Sequence, residues 1–248
     1  MVIHTFGDPA KQVVILLHPM GFSGTQFYEQ LAPHFKGDYF FIAPDMGNHG
    51  DEQREFHSIE TEMSQLYVWL VKNEIKDIAL LYGASMGAAG ALVLMKHQDL
   101  SFRKVYLDGA PVARLGFVMR KIFGPVLIWT RNSMRKNMEK ANAEYIERYG
   151  EKMGNQMGEN FLRFSSDSIN HIAEACVQGN DYAISEEMQS RIAFDWGSEE
   201  HYTKTSKPLV EKIYPGAHVT VREGYQHCEY LAKCPKEYVA EIEKFMET

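Results

Sequence analysis

Cysteine is scarce in this 248-residue chain: Cys176, Cys228 and Cys234 are odd in number and show no C-x-x-C spacing. That argues against a disulfide framework and against a cysteine-ligated zinc site, and leaves reduced thiols in a cytosolic protein as the expectation. The ten histidines include no H-E-x-x-H or comparable spacing, so metal-dependent chemistry is not expected either. Long apolar runs are missing too. The best candidate, Phe117 to Trp129, is interrupted by Arg120 and Lys121 and falls short of the roughly 20 residues that a membrane span needs. Met1 to Pro9 lack a basic start followed by an apolar stretch, so no secretory signal is expected. Nor is there an excess of positive charge: the formal net charge is −7, with Lys and Arg dispersed along the chain. Such a balance gives no electrostatic footprint for nucleic acid or an anionic membrane, and suits a protein that handles small molecules. No internal repeat or low-complexity segment points to a solenoid or a disordered tail.

What is present is enough apolar material, 45% of the residues, for a substantial core and one main domain. Strand-like segments at Val13 to Leu17, Tyr39 to Ala43, Ile78 to Tyr82 and Lys104 to Leu107 alternate with helical patterns at Ile59 to Lys72 and Ala88 to Lys96. This order predicts an α/β protein with a mostly parallel sheet wrapped by helices. Between Val112 and Ser190 the strand signal gives way to helical, methionine-bearing sequence. Alternation then resumes with a strand at Arg191 to Asp195, a helix at Thr203 to Ile213, a strand at Val219 to Arg222 and a helix at Pro235 to Met246. The expected organisation is therefore a core of residues 1–111 and 191–248 with a helical cap insertion at 112–190. Its Phe117, Met119, Phe123 and Trp129 are expected to pack the cap on itself and on the core, some of them lining an apolar pocket.

The most informative segment is Gly83-Ala84-Ser85-Met86-Gly87, a G-x-S-x-G pattern between an apolar strand and a small-residue helix. A side chain on so tight a strand-to-helix turn stands exposed above the sheet, which suits a nucleophile. A serine hydroxyl needs a general base, and the base needs an orienting carboxylate. His227 lies just past the last expected strand, and Glu200 just past the one before it. Glu199, Asp195 and Asp108 are the competing acids. A developing oxyanion needs preset N–H donors; Met86, directly after Ser85, is one candidate, and Met20, in the loop after Val13 to Leu17, is the other. The bland alternatives are helix caps for Ser85 and Glu200 and a solvated loop residue for His227. His18 and Asp45, beside glycine-rich turns, are expected to satisfy loop backbone, and Cys228 to pack.

These pieces resemble the α/β-hydrolase superfamily over nearly the whole chain. His18-Pro19-Met20-Gly21 is similar to its oxyanion loop, with Pro19 where the family has glycine. Ala43 to Gly50 resembles its P-D-x-x-G-x-G turn, Gly83 to Gly87 its nucleophile elbow, and Gly224 to His227 its terminal histidine loop. The acid position carries Glu200 where aspartate is the commoner residue. The resemblance implies a capped serine hydrolase of the carboxylesterase type, needing no cofactor and acting on a small-molecule ester through an acyl-enzyme on Ser85. The alternatives on the same scaffold are a thioesterase, a C–C bond hydrolase, a lyase or a ligand receptor. Sequence leaves the oligomeric state open.

Overall fold

The computed structural model describes residues 1–139 and 142–248. In chain order the elements are β1 (Val2–Phe6), β2 (Gln12–Leu17), α1 (Gly24–Leu31), β3 (Tyr39–Asp45), α2 (Ile59–Lys72), β4 (Asp77–Ala84), α3 (Met86–Leu94) and β5 (Ser101–Asp108). Four helices follow, α4 (Phe117–Met134), α5 (Met138–Arg163), α6 (Ser166–Val177) and α7 (Glu186–Gln189). The chain closes with β6 (Ile192–Gly197), α8 (His201–Ile213), β7 (His218–Arg222), α9 (Glu229–Lys233) and α10 (Pro235–Met246).

The seven strands form one sheet in the order β1-β3-β2-β4-β5-β6-β7. All neighbours are parallel except β1 and β3. The central strands read as apolar runs because both faces of the sheet are covered by helices. Alternation along β2 sends Val13, Ile15 and Leu17 to one face and Val14 and Leu16 to the other. The first face packs on α2 and α3, the second on α1 and α10. Helix α2 begins where Ser58 accepts a hydrogen bond from Thr61 N–H, and it buries Ile59, Met63, Leu66 and Leu70 at helical spacing.

Strand order decides where a site can form. From β2 the chain steps outward to β3 and then returns to pair β4 against the other side of β2, so the β2 and β4 loops diverge at a topological switch point. Register places Leu17 beside Gly83, Ala84 beside Asp108, and Asp108 beside Asp195. The loops that carry His18, Ser85, Gly109 and Glu200 therefore leave one edge of the sheet side by side. The helical segment between β5 and β6 packs internally, α4 on α5 and α6, and reaches the rest of the molecule through α5 on α9 and α6 on α3.

The expected packing of this segment needs correction. Phe123 is half-buried against the core, but Phe117, Met119 and Trp129 are exposed. Helix phase explains Met119 and Trp129, because α4 turns Gly124, Arg131 and Met134 inward; Phe117 shares the inward phase but is the first residue of the helix and extends past the packed part.

Candidate active site

Ser85 sits between β4 and α3 with φ 54° and ψ −114°, a backbone conformation that non-glycine residues seldom adopt. The surroundings hold it there. Its N–H donates to the Asp108 carbonyl at 2.7 Å, and its own carbonyl accepts from Ala88 and Ala89 N–H. The following turn is pressed onto the β2 loop so closely that a Cβ on Gly87 would lie 2.1 Å from the Leu17 carbonyl oxygen. Only glycine permits that approach. Ser85 occupies the N-cap position of α3, yet its hydroxyl caps nothing there; Oγ lies 2.8 Å from His227 Nε2 instead.

His227 is on the loop between β7 and α9. Its Nδ1 meets the Glu200 carboxylate in a short contact. With the proton on Nδ1 donated to Glu200, Nε2 is left as the acceptor for the Ser85 hydroxyl proton, so the two contacts require the same tautomer. Glu200 is only 3% exposed. Its second oxygen accepts from Gly197 N–H at 2.9 Å, which fixes the carboxylate plane. Glu200 is at the N-cap position of α8 and makes no side-chain cap. The structure thus brings Ser85, His227 and Glu200 into one continuous hydrogen-bonded chain.

The competing acids are engaged elsewhere. Asp108 accepts from Tyr238 Oη at 2.9 Å, and Asp195 is paired with Arg222 at 2.6 Å and takes Tyr106 Oη at 2.6 Å. Glu199 accepts from the Ser198 hydroxyl. Burial, and then the nearby charges of Asp195 and Glu200, push the Asp108 carboxyl well above the usual range. Burial likewise raises the Cys228 thiol, which keeps that side chain neutral beside His227.

The two candidate oxyanion donors are also placed. Met86 is the first residue of α3, where a backbone N–H has no intrahelical acceptor. At the β2 loop, His18 Nε2 accepts from Met46 N–H at 3.1 Å, so its proton is on Nδ1 and is donated to the Pro19 carbonyl at 2.9 Å. Burial holds His18 below the usual histidine range, which keeps this neutral form. In a trans peptide the carbonyl and the next N–H point opposite ways. Tying Pro19 C=O to His18 therefore turns Met20 N–H away from the imidazole. Asp45 accepts from Gly24 and Asp51 N–H and lies 2.9 Å from His4 Nε2. His4, Asp45 and Asp51 are the one grouping of potential metal ligands among the described residues, but Asp45 is already satisfied by backbone donors.

Three contributors were not identified from sequence. Gly109 follows β5 with φ +59°, and a Cβ there would lie 2.4 Å from His227 Cε1; a glycine directly after a strand was the available signal. Tyr149 Oη of α5 donates to the His227 carbonyl at 3.1 Å, and Asn160 Nδ2 of α5 donates to the Gly21 carbonyl at 2.9 Å. Nothing local in the sequence announces either long-range contact.

The alpha/beta hydrolase family pattern matches residues 14–241, nearly the whole chain. The chain belongs to the alpha/beta hydrolase family. Solved structures agree on this fold at low identity. An alpha/beta hydrolase family protein from Desulfitobacterium hafniense is 18% identical with a TM-score of 0.74, covering 99% of this chain and 100% of that one. An esterase from Rhodococcus sp. ECU1013 is 17% identical with a TM-score of 0.74, covering 99% and 94%. A bromoperoxidase from Bacillus anthracis is 16% identical with a TM-score of 0.77, covering 99% and 95%. No curated protein matches by sequence. Within this alpha/beta hydrolase the mostly parallel sheet is the expected one, with seven strands and a single antiparallel edge strand.

Proposed function

We propose that this alpha/beta hydrolase is a serine carboxylesterase that cleaves small to medium esters, and that residues 112–190 act as a cap over its site. The observation that carries the reading is the chain from Ser85 Oγ to His227 Nε2 and from His227 Nδ1 to Glu200. In the proposed reaction His227 takes the hydroxyl proton as Ser85 Oγ attacks the ester carbonyl, and then delivers it to the leaving alcohol. Glu200 holds the imidazole in the required tautomer and balances the imidazolium charge. The N–H groups of Met20 and Met86 receive the developing oxyanion, a contribution of about 3–4 kcal/mol per donor in acyl-transfer enzymes. Water activated by His227 then hydrolyses the acyl-enzyme. All these roles belong to side chains and backbone amides of the chain itself. The cap role is supported by the bonds from α5 to the two catalytic loops at His227 and Gly21.

The test is hydrolysis of p-nitrophenyl esters of rising acyl length by the native chain and by Ser85→Ala. Turnover by the native chain, lost by at least about a thousandfold in the variant, is the expected result. Full activity in Ser85→Ala would exclude Ser85 as the nucleophile, and no turnover of any ester by the native chain would exclude the esterase reading.

A further inference from the structure

Among the described residues, eight large apolar side chains are exposed, and six of them belong to α4. Val118, Ile122, Val126 and Trp129 recur at i, i+4, i+8 and i+11, which places them on one face of the helix. Their exposures of 66%, 43%, 48% and 71% show that none of the described residues covers that face. The opposite side of α4 is anchored: Arg131 donates to the Phe164 carbonyl at 2.5 Å and Arg135 to the Leu162 carbonyl at 2.9 Å. The stripe is thus a fixed feature of a docked helix.

Charge around this helix departs from the acidic balance of the whole chain. From Gly109 to Met138 there are six basic residues, Arg114, Arg120, Lys121, Arg131, Arg135 and Lys136, and no Asp or Glu. Arg120 and Lys121 line a groove of about 490 Å³ between α4 and α6, with Glu174 on its far side. Arg120 Nε has no hydrogen-bond partner among the described residues. The dispersal of Lys and Arg noted from the whole sequence therefore conceals a local concentration, with no acid in the same stretch of chain.

An exposed apolar stripe with a tryptophan, bordered by Lys121 on a helix that itself carries no acid, is the chemistry of a helix lying in the surface of an anionic bilayer. Trp129 suits the headgroup level, where aromatic rings with a polar edge accumulate. Covering the stripe with the same helix of a second copy would instead bring two basic segments together, because a two-fold contact is self-complementary. We propose that α4 docks this protein on anionic phospholipid surfaces. Val118, Ile122, Val126 and Trp129 enter the boundary between headgroups and acyl chains, while the exposed Lys121 at the edge of the stripe meets lipid phosphates. The proposal does not depend on the hydrolase reading.

The test is flotation of the full chain with vesicles of equimolar phosphatidylcholine and phosphatidylglycerol, against vesicles of phosphatidylcholine alone. Expected are binding to the anionic vesicles only, weakening as salt is raised, and a blue shift of tryptophan emission that Trp129→Phe removes. Lys121→Gln should lower the partition coefficient about fivefold. The exposed double variant Ile122→Ser/Trp129→Ser should lower it at least about tenfold at an unchanged Tm. Failure to float with either vesicle would overturn the proposal, as would equal flotation of the double variant. Self-association without vesicle binding, abolished in that same double variant, would also overturn it and assign the face to a second copy.

Discussion

Glu200 and Asp108 are both buried carboxylates at the ends of neighbouring strands, yet only one faces the imidazole. Their difference is one of reach. Asp108 lies within β5 and meets Tyr238, whereas Glu200 stands three residues past β6 and comes back to both Gly197 N–H and His227. Glu200→Gln should therefore lower kcat on p-nitrophenyl esters by about four orders of magnitude, because an amide there favours the wrong imidazole tautomer. Asp108→Asn should retain activity within about tenfold, the effect of a change that leaves the His227 contact intact. Steady-state kinetics of the two variants, side by side, decide between the acids. Ser85, His227 and Glu200 were legible because each lies within five residues after the end of a strand, so that sequence position sends them to one sheet edge. The choice of Glu200 over Asp108, Asp195 and Glu199 was less so. It depends on which side chain has a better partner already, and Arg222, Tyr106 and Tyr238 come from β7, β5 and α10.

At the scale of elements, the strand-to-helix turn before α3 was readable and the face of α4 was not. All nine residues of α3 are buried, which matches its composition of alanine, glycine, leucine, valine and methionine. Its start at Met86 rather than Ala88 follows from the elbow itself, since Ser85 and Met86 are already committed to the turn. Gly87→Ala would place a methyl carbon against two backbone carbonyls, Leu17 at 2.1 Å and His18 at 2.9 Å, neither of which can rotate aside as a side chain could. The β2 loop must move, and overpacking of this kind costs about 1–3 kcal/mol. The urea midpoint should fall accordingly, and kcat should fall further than stability explains, because the displaced loop carries Met20 N–H. A variant with native midpoint and native kcat would show that the loop is not packed against the elbow as described. Strand β1 escaped detection because it is a five-residue edge strand whose mixed composition, Val2-Ile3-His4-Thr5-Phe6, gives no clean period. The segment that forms α4 was read only as part of a helical stretch, and an apolar stripe reads the same whether it faces a core or solvent; only placement against α5 and α6 separates the two.

For the molecule as a whole, the sheet carries a buried polar core behind the site. Asp108, Tyr238 and Tyr82 are linked in sequence, and Asp195, Tyr106 and Arg222 form a second group beside them. Arg222 also pairs with Glu241 of α10 at 2.7 Å, so the network ties the last strand to the closing helix. One cation among three buried carboxylates, Asp108, Asp195 and Glu200, leaves a surplus of negative charge that burial makes costly. Burial, and then the charges of its two acidic neighbours, raise the Asp108 carboxyl well above the ordinary range, which favours its protonated form. In the unfolded chain the same group titrates near 3.9. Folding therefore takes up a proton wherever the pH lies between the unfolded and folded values, and the stability associated with Asp108 is complete below about pH 4 and is lost as pH rises toward the folded value. Asp108→Asn cannot ionise and removes that dependence while keeping an oxygen for Tyr238 Oη. The Tm of the variant minus that of the native chain, measured by calorimetry in steps from about pH 4 to about pH 8, should grow steadily with pH. A difference independent of pH would mean that Asp108 is ionised in the folded state and that the surplus charge is borne elsewhere in the network.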